Sequence, residues 1–137
     1  MYHITPFALE RSVIRALNQN TVVKAKVPLL RIGTPLSAID VPHLWISVAK
    51  ETVVGLNRLH AEGEMILSFP FAKGSEMVGA LEAIQETLRQ ALPLYLGERA
   101  VGTMRWEEKD LRKSTKKEGF AILLNFDLFV YLERIYA

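Results

Sequence analysis

The chain has 137 residues, is half hydrophobic, contains no cysteine, and sets 17 basic side chains against 15 acidic ones for a formal charge of +2. That length suits one hydrophobic core and that composition excludes a disordered chain, so residues 1–137 read as a single domain. The missing cysteines exclude a disulfide scaffold, a thiolate metal site and a cysteine nucleophile, in keeping with synthesis in the cytoplasm. A net charge this small is no electrostatic commitment to nucleic acid, although the pI is about 9.0.

The start, MYHITPFALERSVIRAL, lacks the basic-then-apolar pattern of an export signal. No run reaches the roughly 20 apolar residues of a membrane span. Thr5 before Pro6 is a helix-start signal, since the hydroxyl can cap free N–H groups and proline loses nothing at the first helical position. Leu9, Val13, Ile14 and Leu17 then recur at helical spacing, with Glu10, Arg11 and Arg15 opposite, and Asn18–Gln19–Asn20 closes the helix.

Thr21 to Pro42 is less regular. VVKAKVPLLRIG predicts an edge strand interrupted by Pro28, followed by a loop between Gly33 and Pro42 whose Leu36 and Ile39 pack down. From Leu44 the period becomes two, with Leu44, Ile46 and Val48 on one face of a strand. After Gly55 the alternation is clearest: Leu59, Ala61, Met65, Leu67, Phe69 and Phe71 face a core, and Arg58, His60, Glu62, Glu64 and Ser68 face water.

Lys73–Gly74–Ser75 ends that strand, and Ser75 is placed to cap a second helix whose stripe runs Met77, Leu81, Ile84, Leu88 and Ala91 or Leu92 before Pro93. A strand from about Ala100 to Trp106, a charged connection from Glu107 to Glu118, and a long strand from Gly119 to about Glu133 complete the chain. The last strand is apolar on one face and partly apolar on the other through Leu123, Phe129 and Tyr131. At roughly 3.3 Å per residue it would exceed 40 Å, which makes its surplus apolar surface a candidate subunit interface. The expected fold is α+β: a curved, mostly antiparallel sheet with two main helices packed on one face.

Catalytic signatures do not emerge. His3, His43 and His60 are scattered, with no second ligand at helical or hairpin spacing, and Glu62 with Glu64 is better read as a wet strand face than as a carboxylate pair. AKGSEM lacks the spacing of a phosphate loop, and no serine sits in a GxSxG setting. Catalytic, cofactor and metal residues are therefore expected to be none. EEKDLRKSTKKE is the exception in kind, and Lys73, Lys109, Arg112, Lys113, Lys116 and Lys117 are the candidate partner-binding residues, for a negatively charged partner.

The arrangement resembles the tail terminator proteins of long-tailed bacteriophages. The likeness rests on the amphipathic helix from Pro6 to Leu17, the tryptophan strand after a proline loop (Pro42 to Val48), and GEMILSFPFAKGSEMVGALEAIQETL, with Gly63, Pro70, Gly74, Ala80, Ile84 and Leu88 at matching places; the final strand pair matches in order. It implies a virion protein of the neck or tail, assembled in the host cytoplasm. It further implies a ring, usually of six copies, that caps the last tail-tube ring, stops tube polymerisation and meets the head connector, with DNA only passing through its lumen. Similar elements occur in head-completion or connector proteins, and a nucleic-acid-binding module using residues 109–117 is a further alternative. The sparse segment from Thr21 to Gly33 and the basic cluster depart from the family pattern.

Overall fold

The computed structural model describes residues 4–32 and 41–133. A first helix, α1 (Pro6–Asn18), starts as its sequence dictates: Thr5 caps it by accepting from the Ala8 N–H at 3.2 Å, and Pro6 occupies the first turn. Leu9, Val13 and Leu17 are wholly buried. Glu10 is buried too, against the expectation that it shares the solvent face with Arg11 and Arg15.

The segment expected to be an edge strand divides in two. Thr21–Lys26 forms a short helix, α2, because the Asn20 side chain accepts from the N–H groups of both Val22 and Val23, and Val23 and Val27 plug into the core. Asn20 also donates to Thr87 Oγ1 at 2.8 Å. Pro28 stops the helix, and Leu29–Ile32 then forms the edge strand β1, parallel to its neighbour. The loop expected to pack down through Leu36 and Ile39 lies, over residues 33–40, outside the described residues.

Strands β2 (His43–Gly55) and β3 (Arg58–Pro70) form a hairpin around the two-residue turn Leu56–Asn57, where Asn57 takes the left-handed φ of 59° that asparagine tolerates. Phe71–Glu76 is a 3₁₀ turn leading into α3 (Met77–Leu88). Ser75 lies inside that turn and does not cap α3, whose N-cap position is Glu76 with no side-chain cap bond. Beyond Arg89 the chain leaves the helix, so Leu92 belongs to a strand, β4 (Leu92–Leu96), whose Pro93 is tolerated because the strand is an edge.

The charged stretch expected as a connection is mostly strand: β5 runs from Arg99 to Thr115 and β6 from Gly119 to Leu132, joined by a tight turn in which the Lys116 N–H donates to Gly119 O at 2.7 Å. Charges on both faces hid the alternation. β4 pairs β5 only through Met104, so the rest of β5 has β6 alone beside it; Trp106 still reaches the core and Leu111 packs against it, while its charged residues from Glu107 to Asp110 and from Arg112 onward are exposed.

The sheet has the order β1-β2-β3-β6-β5-β4, antiparallel except for β1 with β2, and it is curled. The α+β class and the curved, mostly antiparallel sheet with helices on one face are as expected. Its inner face packs Leu44, Ile46, Met65, Leu67, Phe69, Ile122, Leu124, Phe126, Leu128 and Val130 against α1 and α3 in one core. Curling lets a single subunit shelter the inner side of its longest strand. Ile122, Leu124, Phe126, Leu128 and Val130 are each fully buried, so the surplus expected there is small: Leu123 and Phe129 are half-buried and only Tyr131 is exposed. Among the described residues no helix is long and apolar enough to cross a membrane.

Candidate functional site

The sheet presents three distinct surfaces: a cationic end, a polar outer face, and an apolar end. Pairing of Pro70 with Gly119 sets the start of the 3₁₀ turn beside the β5–β6 turn, so exposed Lys73 lies at the same end of the sheet as exposed Arg112, Lys113, Lys116 and Lys117. Gly74 makes this junction possible, since a Cβ there would sit 2.5 Å from the Phe120 ring. Cross-strand register turns Arg112 and Ser114 to the outer face, with Leu123 and Ala121 as their partners, and Lys113 to the inner one, opposite Ile122. Arg112 pairs with Asp110 at 3.4 Å, an exposed contact worth little. Five of the six candidate cations therefore gather at one end.

Lys109 belongs elsewhere. It sits at a bulge in β5 and turns its ammonium to Glu62 and Asp127, 3.4 Å from each. Burial alone would lower its pKa; Asp127 and Glu62 more than offset that and raise it above the usual lysine value. The Asp127 carboxylate also accepts from His60 Nε2 at 2.9 Å, and the His60 ring stacks on Phe129 with centroids 5.1 Å apart. His60 is thus half-buried in a network, contrary to the solvated side chain expected. Arg105 covers the same phenyl ring and Arg58 covers Tyr131, which is how much of the outer apolar surface is screened.

Polar atoms of His60, Glu62 and Asp127 lie within 4.8 Å of one another, a spacing a metal ion could use. The lysine ammonium already supplies the positive charge those carboxylates need. Glu64 stands opposite Asn125 and Ser47, apart from this group. His43 is buried, its Nδ1 3.1 Å from Val41 O, and His3 lies outside the described residues.

The apolar end was not foreseen. Val53, Val54 and Leu56, at the tip of the β2–β3 hairpin, are 74%, 59% and 81% exposed. The signal was present in TVVGLN, where two valines in succession break the alternation and leucine takes a turn position that glycine, asparagine or aspartate usually fills. At the same end, α1 and the β4–β5 turn enclose a groove of about 510 Å³ with Phe7, Ala8, Ile14 and Leu96 among its walls. Arg15 lies flat on the Tyr95 ring there, 3.8 Å from its centroid, and Ser12 Oγ accepts from the Tyr95 N–H at 3.0 Å, fastening helix to strand.

No protein-family model and no curated protein matches the sequence. Among solved structures, the fold is similar to that of a chain in the virion of a native gene transfer agent (GTA) particle, with a TM-score of 0.64 and 17% identity over 95% of this chain and 99% of that one. A second solved protein, known by a sequence label alone, aligns with a TM-score of 0.52 and 11% identity over 90% of this chain and 96% of its own. At such identities the likeness establishes the fold alone: over nearly its full length this chain has a fold that a chain of that virion also has.

Proposed function

We propose that this chain is a non-catalytic structural subunit of a virion, forming a ring, six copies in the leading form, at the head-proximal end of a phage-type tail tube. There it ends tube polymerisation by occupying the growing end, and it joins the tail to the head connector. One observation carries the reading: a fold shared over nearly the full length of both chains with a component of a gene transfer agent virion. The exposed cationic end supports it, because a subunit that joins a tail to a head connector needs a surface for an unlike partner apart from its contacts with its own copies.

Native mass spectrometry and negative-stain microscopy, with and without tail-tube protein, test the proposal. A ring with a central hole and a mass of about 93 kDa, six times the 15.5 kDa chain, is expected. A monomer under both conditions would reject it. Binding to portals in preference to tail tubes would favour a head-completion or connector role. The nucleic-acid reading draws on the exposed Arg112–Lys117 turn and requires salt-sensitive DNA binding that vanishes when those cations are replaced.

A further inference from the structure

We infer that the β2–β3 tip of one copy seats in the groove between α1 and the β4–β5 turn of the next, as the contact that propagates the assembly; this rests on the self-association proposed above. The tip is built to be received by something. Leu56 sits at the apex of a two-residue turn and packs on no core, and it is 81% exposed with Val53 and Val54 beside it. Together these residues expose on the order of 400 Å² of largely apolar surface, within the roughly 300–600 Å² of the largest patch on a soluble monomer, which is often a functional one. That is about half of one side of a standard interface, ~800 Å² per partner, and exposed Tyr131 and Thr52 border it to extend the area.

The groove answers in volume and position. At about 510 Å³ it lies within the ~300–1,000 Å³ range that accepts a group several side chains in size. Its apolar wall is Phe7, itself 55% exposed, with Ala8, Ile14 and Leu96. Register fixes the heights. Arg58 pairs with Tyr131, Tyr131 with Thr103, and Thr103 with Pro93, so the tip stands level with Pro93, and the groove residues Tyr95, Leu96 and Gly97 follow directly. Across the sheet, β2 and β4 are separated by four strand spacings, roughly 19 Å.

A knob and a hole at one height on opposite flanks make a head-to-tail contact, the kind that closes into a ring when the rotation per copy allows. The chain's other long hairpin does not fit the hole. Its turn carries two adjacent exposed cations, Lys116 and Lys117, which Arg11 and Arg15 on the groove wall would repel, whereas the apex of the aliphatic tip is Leu56 and its nearest cation, Arg58, is turned onto the Tyr131 ring.

The test uses complementary variants of the full chain. Leu56→Lys disables the tip and Phe7→Asp the groove; both positions are exposed, and circular dichroism checks that each variant is folded. Each alone should weaken assembly at least tenfold in sedimentation velocity, and an equimolar mixture should form a heterodimer of about 31 kDa, because one intact tip meets one intact groove. A second arm uses the cysteine-free background: Leu56→Cys and Gln19→Cys in separate copies should cross-link under mild oxidation. Wild-type assembly left intact by Leu56→Lys, or disabled by it but not by Phe7→Asp as tip-to-tip pairing requires, overturns the inference and leaves the proposed function standing. So do mixtures that give neither heterodimer nor cross-link. A wild-type chain that stays monomeric with tail-tube protein present removes both.

Discussion

Glu10 offers the most direct quantitative check on how this fold is held together. It lies in α1, is 8% exposed, and its Oε2 accepts from the Val48 N–H at 2.7 Å. β1 stops pairing with β2 at Ile46, and β2 shifts register between Val48 and Lys50, so the carboxylate supplies an acceptor where the ladder fails. Replacing Glu10 by alanine removes a hydrogen bond to a carboxyl oxygen and strands a buried donor, which costs about 2 kcal/mol. For a chain of this length that is a fall of about 8 °C in Tm at ~4 °C per kcal/mol.

Glutamine keeps an acceptor and should cost clearly less than alanine, and it isolates the proton linkage. Burial raises the Glu10 pKa above 4.5 more than the Val48 hydrogen bond lowers it. The folded state then holds its proton to higher pH than the unfolded chain. The associated stability is fully present below the unfolded pKa and declines as pH rises from there through the folded value. The difference in unfolding free energy between wild type and Glu10→Gln should therefore move against the wild type across that window. Urea unfolding at fixed protein concentration from pH 4 to pH 8 measures it. An alanine variant within about 0.5 kcal/mol of wild type, well under the hydrogen-bond cost, or a pH-independent difference for glutamine, would refute the reasoning.

Other outcomes follow from single contacts. Gly63→Ala should lose about 2 kcal/mol in urea unfolding, since its Cβ would stand 2.6 Å from both Phe126 Cζ and Ser47 O and neither side can retreat freely. Alanine at Arg112, Lys113, Lys116 and Lys117 together should leave stability within about 0.5 kcal/mol, because all four are exposed and the Arg112–Asp110 pair is a surface contact; the same variant should lose capture of an anionic partner in a pull-down. Lys109→Ala should open the His60, Glu62 and Asp127 group to a divalent cation, raising Zn²⁺ affinity at least tenfold over wild type by calorimetry.

Where one face of an element is buried and the other wet, the sequence was readable. The stripe of α1 and the alternation of β3 and β6 come from burial on one side, and Thr5 and Pro6 marked the start of α1 because capping is local chemistry. Legibility failed where the deciding partner is distant in sequence. α2 depends on Asn20 as a cap and on core seats for Val23 and Val27, which outweigh the preference of valine for strands. β5 beyond Trp106 is held extended by β6 across an edge that carries charge on both faces, so no alternation announces it. Glu10 looked like a surface residue because its acceptor role exists only once β2 arrives beside α1.

The same division governs the candidate site. The cationic cluster was visible as composition, yet only pairing shows that Lys73 joins it across the Pro70–Gly119 step, and that Lys109 turns away to neutralise Glu62 and Asp127. More consequential is the transfer of the apolar surplus. A 14-residue strand suggested a long greasy ribbon awaiting neighbours, but curling wraps its inner face around α1 and α3, while Arg105, Arg58 and His60 cap the outer aromatics. The most exposed large hydrophobics among the described residues, Val53, Val54 and Leu56, instead gather in a compact tip, in line with the groove on the far flank. An assembly built on that geometry is set by the rotation from flank to flank, which the sheet's curl fixes, and not by the length of its strands. Changes to the inner core should then alter stability first, whereas changes at Leu56 or Phe7 should alter copy-to-copy association with the fold intact.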